Sequence, residues 1–202
     1  MPSARLTITA ALAGALLAVP AVATAHSHYV GGNLAGHSFR GESLDHEDFS
    51  RANLRNADFR GADLRMADFT KATLVGANFR GAKLQGARFV RANATGAKFG
   101  TKGADKAANL DDAAFVRATI TRALFNATNA RNVLFRDVTM TGTDFSGANL
   151  SGSVMRDVMG PGAIFRNANI TRLLLTDTNL AGADWTGTDP ATSVINAGGN
   201  TL

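Results

Sequence analysis

The chain has 202 residues, 45% hydrophobic and 18% charged, and a formal net charge of +5 at pH 7, which is enough for one domain with a substantial core. It contains no Cys, which excludes disulfides, thiolate metal sites, thiol nucleophiles and a lipoprotein anchor together. Stability must come from packing and backbone hydrogen bonds.

Arg5 gives the amino terminus a short positive region, Leu6 to Val19 is an apolar run of 14 residues, and Pro20 precedes the small-residue pattern Ala23-Thr24-Ala25. The run is shorter than the roughly 20 apolar residues of a membrane span. Residues 1–25 therefore read as a secretory signal peptide and 26–32 as a lead-in, so the mature chain is expected to start at His26, outside the cytoplasm. Its terminus would be His26-Ser27-His28. A His in third place allows square-planar Cu or Ni binding by the α-amine, two backbone nitrogens and the imidazole.

From Asn33 onward an apolar residue recurs every fifth position: Leu34, Phe39, Leu44, Phe49 and so on to Phe99, then from Leu110 to Leu150, and less regularly through Phe165, Ile170, Leu175, Leu180, Trp185 and Ile195. All 12 Phe residues and the single Trp occupy these positions. No helix or ordinary strand has that period, and five residues cannot bury their own apolar side chain, so units must stack to share a core. Arg40, Arg60 and Arg80 recur at a spacing of 20, and so do Gly41, Gly61 and Gly81, whereas the positions halfway between differ. The true repeat is four pentapeptides.

The stretch "ANLRNADFRGADLRMADF" resembles the pentapeptide repeat family, with Ala, then Asp or Asn, then Leu or Phe, then two variable residues. The resemblance covers about Asn33 to Ile195. It implies an all-β fold, a right-handed quadrilateral β-helix of about eight coils, one pentapeptide per side. At a strand spacing of about 4.8 Å this is a rod roughly 38 Å long, with Phe ladders on two opposite sides.

The first repeat block spans 33–99 and the second 110–195, separated by "GTKGADKAAN" at 100–109. Phe99 and Leu110 are 11 residues apart. Extruding about six residues as a loop near Thr101 to Ala107, with Lys102, Asp105 and Lys106 exposed, would keep Phe stacked on Phe; a one-residue insertion would place Phe115 over a Leu ladder. Residues 196–202 form a tail with no evident helical cap, and an uncovered last coil would permit end-to-end homodimers.

Charge is uneven. Between Arg51 and Lys106, 12 Lys or Arg stand against four Asp, whereas from Ala108 onward 7 basic residues face 8 acidic ones. Arg40, Arg60 and Arg80 on one side, and Arg51, Lys71 and Arg91 near a corner, stack like charges one strand spacing apart, which is unfavourable unless neutralised. An acidic glycan, a nucleic acid or an anionic lipid headgroup would do so; so would local pairing with Asp58, Asp63 and Asp68. Asp137, Asp157 and Asp177 form an acidic line above Arg117 that suits interleaved ion pairs or a hard cation. Thr119, Thr121, Thr139 and Thr141 form two short hydroxyl ranks of the kind β-helical ice-binding proteins use, but the next coil has Met159-Gly160-Pro161.

No catalytic constellation is present: no His follows His46, and no Ser has a plausible His and acid pairing. The expected function is that of an exported, non-enzymatic interaction module. The best-known family function, imitation of duplex DNA toward a type II topoisomerase, is the alternative from another class. Basic charge and export both argue against it.

Overall fold

The computed structural model describes residues 29–101 and 105–188, together with the backbone of 194–196. The expected signal peptide, His26, His28, Lys102 and the tail at 197–202 lie outside the described residues. Among the described residues no helix is long and apolar enough to cross a membrane.

The chain winds as a four-sided parallel β-helix. Each side contributes a residue that bridges its equivalent one coil later, as in Asn33 with Asn53, Ser38 with Asp58, Ser43 with Asp63 and Asp48 with Asp68. Successive coils are tied by backbone bonds along the axis: Leu54 N–H donates to Thr73 C=O at 2.8 Å, and Thr73 N–H to Ala52 C=O at 2.9 Å. Sides meet in four-residue turns such as Phe49 to Ala52, closed by Ala52 N–H donating to Phe49 C=O at 3.1 Å, with Arg51 in the left-handed region at φ 61°.

The core is built from the small residue and the large residue of each pentapeptide. All the Phe side chains are fully buried. Two aromatic ladders stack along the rod: Phe39, Phe59, Phe79, Phe99, Phe125, Phe145, Phe165 and Trp185, and opposite them Tyr29, Phe49, Phe69, Phe89, Phe115 and Phe135, above which Met155 and Leu175 follow. Phe79 shows the geometry, stacking on Phe59 and Phe99 at 4.9 Å each and meeting Phe69 edge-on at 5.6 Å across the core. The small position also accepts hydroxyls. Thr128 and Thr143 are buried there, with Oγ1 donating at 2.7 Å to the carbonyls of Phe125 and Ile120.

In the second half one side lengthens into short strands: β1 (Ala114–Val116), β2 (Leu134–Arg136), β3 (Val154–Arg156), β4 (Leu173–Thr176) and β5 (Val194–Asn196) make a five-stranded parallel sheet in sequence order. The turn bond on this side stretches from 3.0 Å at Ala72–Phe69 to 3.5 Å at Ala92–Phe89 in the preceding coil. β-branched Val116 and Val154 favour the extended conformation that follows.

Six extra residues leave the coil after Phe99. Lys83 bridges Asn109 and Arg88 bridges Ala114, so the register advances by 26 residues there, and Phe115 stacks on Phe89 at 4.5 Å. The excursion closes where Ala108 N–H donates to Phe99 C=O at 2.7 Å, the bond that a residue three positions on makes in ordinary turns. Gly100 starts it because a Cβ there would lie 2.6 Å from the Asn126 carbonyl oxygen, and Asn126 Nδ2 in turn donates to Thr101 O at 3.2 Å. At the other end Ile195 is not the next member of the Leu175 ladder. β4 pairs Leu174 with Ile195 and Leu175 with Asn196, because that coil is one residue longer than 20.

Deleting residues 102–107 should bring Ala108 three positions after Phe99 and leave the thermal midpoint, followed by circular dichroism, within a few degrees of wild type. Deleting 101–107 leaves the turn one residue short and should lower it markedly.

Candidate functional site

Charged side chains reach the surface from two kinds of position, and the coil treats them differently. Asp or Asn just before the large core residue accepts from the N–H two residues on: Asp48 from Ser50 at 2.8 Å, Asp68 from Thr70 at 2.8 Å, Asp144 from Ser146 at 2.8 Å. This local bond explains the Asp and Asn of the repeat without any chemistry. The same carboxylate also captures a guanidinium two residues on when one is present. Arg60 Nε and Nη2 bond both oxygens of Asp58, at 2.8 and 2.5 Å, and Arg65 bonds Asp63 at 2.7 and 2.8 Å, with Lys83 Nζ adding to Asp63 at 3.3 Å.

The row Arg40, Arg60 and Arg80 is consequently spent. Arg60 belongs to Asp58. Arg80 is buried beneath the loop, with Nε donating to Gly100 O at 3.2 Å and lying 3.9 Å from Asp105. Asp105 is half-buried and Lys106 exposed, lining the shallow groove above this row. Arg40 remains its one cation without an ion pair among the described residues.

The corner row is arranged otherwise. Arg51, Lys71 and Arg91 are exposed, and among the described residues none has an ion pair. Their backbones lock the row to the coil above: Arg51 N–H donates to Thr70 C=O at 2.9 Å, Lys71 to Val90 and Arg91 to Val116 at 2.8 Å each. The 26-residue step carries the row on to Arg117, a fourth cation that a uniform 20-residue comparison misses because it points to Asp111 instead. Asp111 sits on another corner, paired with Arg131. Beyond Arg117 the row turns acidic at Asp137 and Asp157, where Arg117 lies 3.8 Å and Arg136 3.9 Å from Asp137, and Arg156 3.6 Å from Asp157. Thr70, Lys71, Val90, Arg91, Val116, Arg117 and Arg136 line one open groove along this edge.

Every member of the row has φ above zero: Arg51 61°, Lys71 62°, Arg91 56°, Arg117 55°, Asp137 55°, Asp157 54° and Asp177 51°. Gly is the default residue there, and the other corners use it at Gly41, Gly61 and Gly81, at Gly76 and Gly96, and at Gly86 and Gly152. From Arg51 to Asp177 this corner never does. Each of its residues bears a conformational cost of about 1 kcal/mol that Gly would remove.

The remaining candidates are dispersed. His37 is exposed beside the Phe39 ring, at 4.4 Å between centroids, and His46 is exposed 3.4 Å from Asp45. Among the described residues no cluster of His, Asp or Glu could hold a metal ion. Thr119 bridges Thr139, which bridges Met159, so that hydroxyl rank ends after two coils.

Three carboxyls lie below their usual range. Hydrogen bonds from the Arg60 side chain hold Asp58 down, those from Arg65 and then Lys83 hold Asp63 down, and the Thr186 hydroxyl and amide together with Arg166 bring Asp184 to about 2. The folded chain keeps these groups ionised to lower pH than the unfolded chain does. The unfolded chain therefore takes up more protons as pH drops below about 4, and stability is lost as pH falls from there through the folded-state values. Asp58→Asn should cost about 0.5–1 kcal/mol at pH 7, with the gap to wild type closing at strongly acid pH in denaturant titrations. A gap unchanged at low pH would mean that the ion pair is not its source.

The sequence model of the pentapeptide repeats family matches residues 33–70, 48–86, 64–100 and 120–157, more than half of the chain. No curated protein sequence matches. Among solved structures, a trypsin-treated form of QnrB1, a plasmid-mediated fluoroquinolone resistance protein, is 19% identical over 82% of this chain and 89% of that one, with a TM-score of 0.57. A pentapeptide repeat protein of the Arabidopsis thaliana thylakoid lumen is 32% identical over 63% of this chain and 74% of its own, with a TM-score of 0.33. HetL of the cyanobacterium Nostoc, involved in heterocyst differentiation regulation, is 23% identical over 86% and 88%, with a TM-score of 0.38. With the family's sequence pattern matched over more than half of its residues, the chain belongs to the pentapeptide repeat family.

Proposed function

We propose that the protein is an exported, non-enzymatic interaction module that engages an anionic partner through the corner row Arg51, Lys71, Arg91 and Arg117. The observation that carries this reading is the contrast between the two basic rows. Where Arg60 and Arg80 are neutralised within the chain, the corner keeps four stacked cations, three of them without an ion pair among the described residues, at backbone positions where Gly would be more stable. Like charges one coil apart repel, so the row costs stability unless a partner neutralises it. The likeness to QnrB1 is one of fold, and a net charge of +5 opposes imitation of DNA. Export rests on the sequence of residues 1–25.

Replacing Lys71 and Arg91 together by Gly should leave thermal stability unchanged or raised, because φ strain and repulsion both fall, and should weaken retention on an immobilised polyanion about tenfold. Arg122→Gly with Arg172→Gly removes the same charge from other corners at similar φ and should leave retention nearly unchanged. Equal losses in both variants would reduce the effect to net charge and contradict the reading.

A further inference from the structure

We infer that the groove along this corner fits a linear acidic polysaccharide carrying one carboxylate per sugar, lying parallel to the rod axis; the inference rests on the corner row's being the anion-binding surface. Each coil repeats the same three elements at this edge. It offers one cation, at Arg51, Lys71, Arg91 and Arg117. Two residues further on, on the adjoining side, it offers one short hydrogen-bonding side chain, at Asn53, Thr73, Asn93 and Thr119, and these bridge one another in register. On the other flank stand Ser50, Thr70, Val90 and Val116, of which Thr70, Val90 and Val116 line the groove with methyl groups.

A uronate chain repeats the matching elements, a carboxylate, hydroxyl groups and an apolar C–H face in every ring, and the row repeats its own at the coil spacing of about 4.8 Å. Stacked nucleic acid fits less well. None of the groove-lining residues is aromatic to stack a base.

The row also sets a length. Asp137 and Asp157 continue the same line above Arg117 and hold Arg136 and Arg156 in ion pairs, so carboxylates beyond the fourth find no unpaired cation there. Affinity should rise with each sugar up to four and then level off.

The test is calorimetric titration of the protein with mannuronate oligomers from dimer to octamer at fixed ionic strength. Parallel arms use an oligonucleotide and a polyphosphate of matched charge, and the Lys71→Gly, Arg91→Gly variant is titrated alongside. The expected result is a rise in affinity of severalfold per sugar to the tetramer, a plateau from tetramer to octamer, and a loss of at least tenfold in the variant. Asp137→Asn with Asp157→Asn should move the plateau to longer oligomers. Tighter binding of the oligonucleotide or polyphosphate through the same residues, or a uronate affinity that climbs steadily to the octamer, overturns the inference and leaves the corner row as an anion site. Binding indifferent to the variant, or no binding by any arm, overturns both.

Discussion

The fold depends on one constraint: every coil must return to the same place after four sides, because its backbone hydrogen bonds and its core side chains both look for partners one coil away. The bonds from Leu54 to Thr73 and from Thr73 to Ala52 are local instances of it, and the Phe ladders are its side-chain counterpart. A residue too many anywhere in the coil would displace both sets at once. The six-residue excursion after Phe99 is tolerated because it leaves from and returns to a single turn, so Phe115 still meets Phe89 and Phe125 still meets Phe99. With no Cys to form disulfides, the rod gains its stability coil by coil, each burying aromatic surface on the last.

That repetition turns surface residues into rows, and rows make small choices of residue consequential. A single Arg on a protein surface is unremarkable, whereas four cations on successive coils are a line of charge. Whether the line is available is decided by what stands two residues earlier in the same pentapeptide. Arg60 and Arg65 follow Asp58 and Asp63 and are captured at once. Lys71 and Arg91 stand three residues after the core-flanking Asp68 and Arg88, one position beyond that reach, and keep their charge free of ion pairs among the described residues. The acidic continuation at Asp137 and Asp157 gives the corner a direction, basic toward the first coils and acidic toward the last.

Much of this was legible in the sequence, because a fivefold period with Leu or Phe at its centre admits few shapes. The twenty-residue period likewise identified rows of Arg. Three features were not legible. Asp58 and Asp68 occupy equivalent repeat positions and both accept the backbone N–H two residues on, yet only Asp58 also holds an Arg, a difference set by the identity of residues 60 and 70 rather than by the period. Arg117 belongs to the corner row only once six residues are discounted, so its membership appears in coordinates and not in arithmetic at a spacing of 20. The extra residue before β5, which shifts Ile195 from Leu175 to Leu174, lies where the repeat had already become irregular. The left-handed corner without Gly is visible in both sequence and structure, but its cost has meaning only when φ is known.

The most direct test of the corner as the binding surface is residue-level mapping by NMR of the amide shifts induced by a saturating mannuronate tetramer. The account predicts that the largest changes cluster at Lys71, Arg91 and Arg117 and their neighbours Thr73, Val90 and Val116, with little change at Arg122 or Arg172. Changes centred on Arg40, Arg60 and Arg80, or spread evenly over every corner, would contradict it.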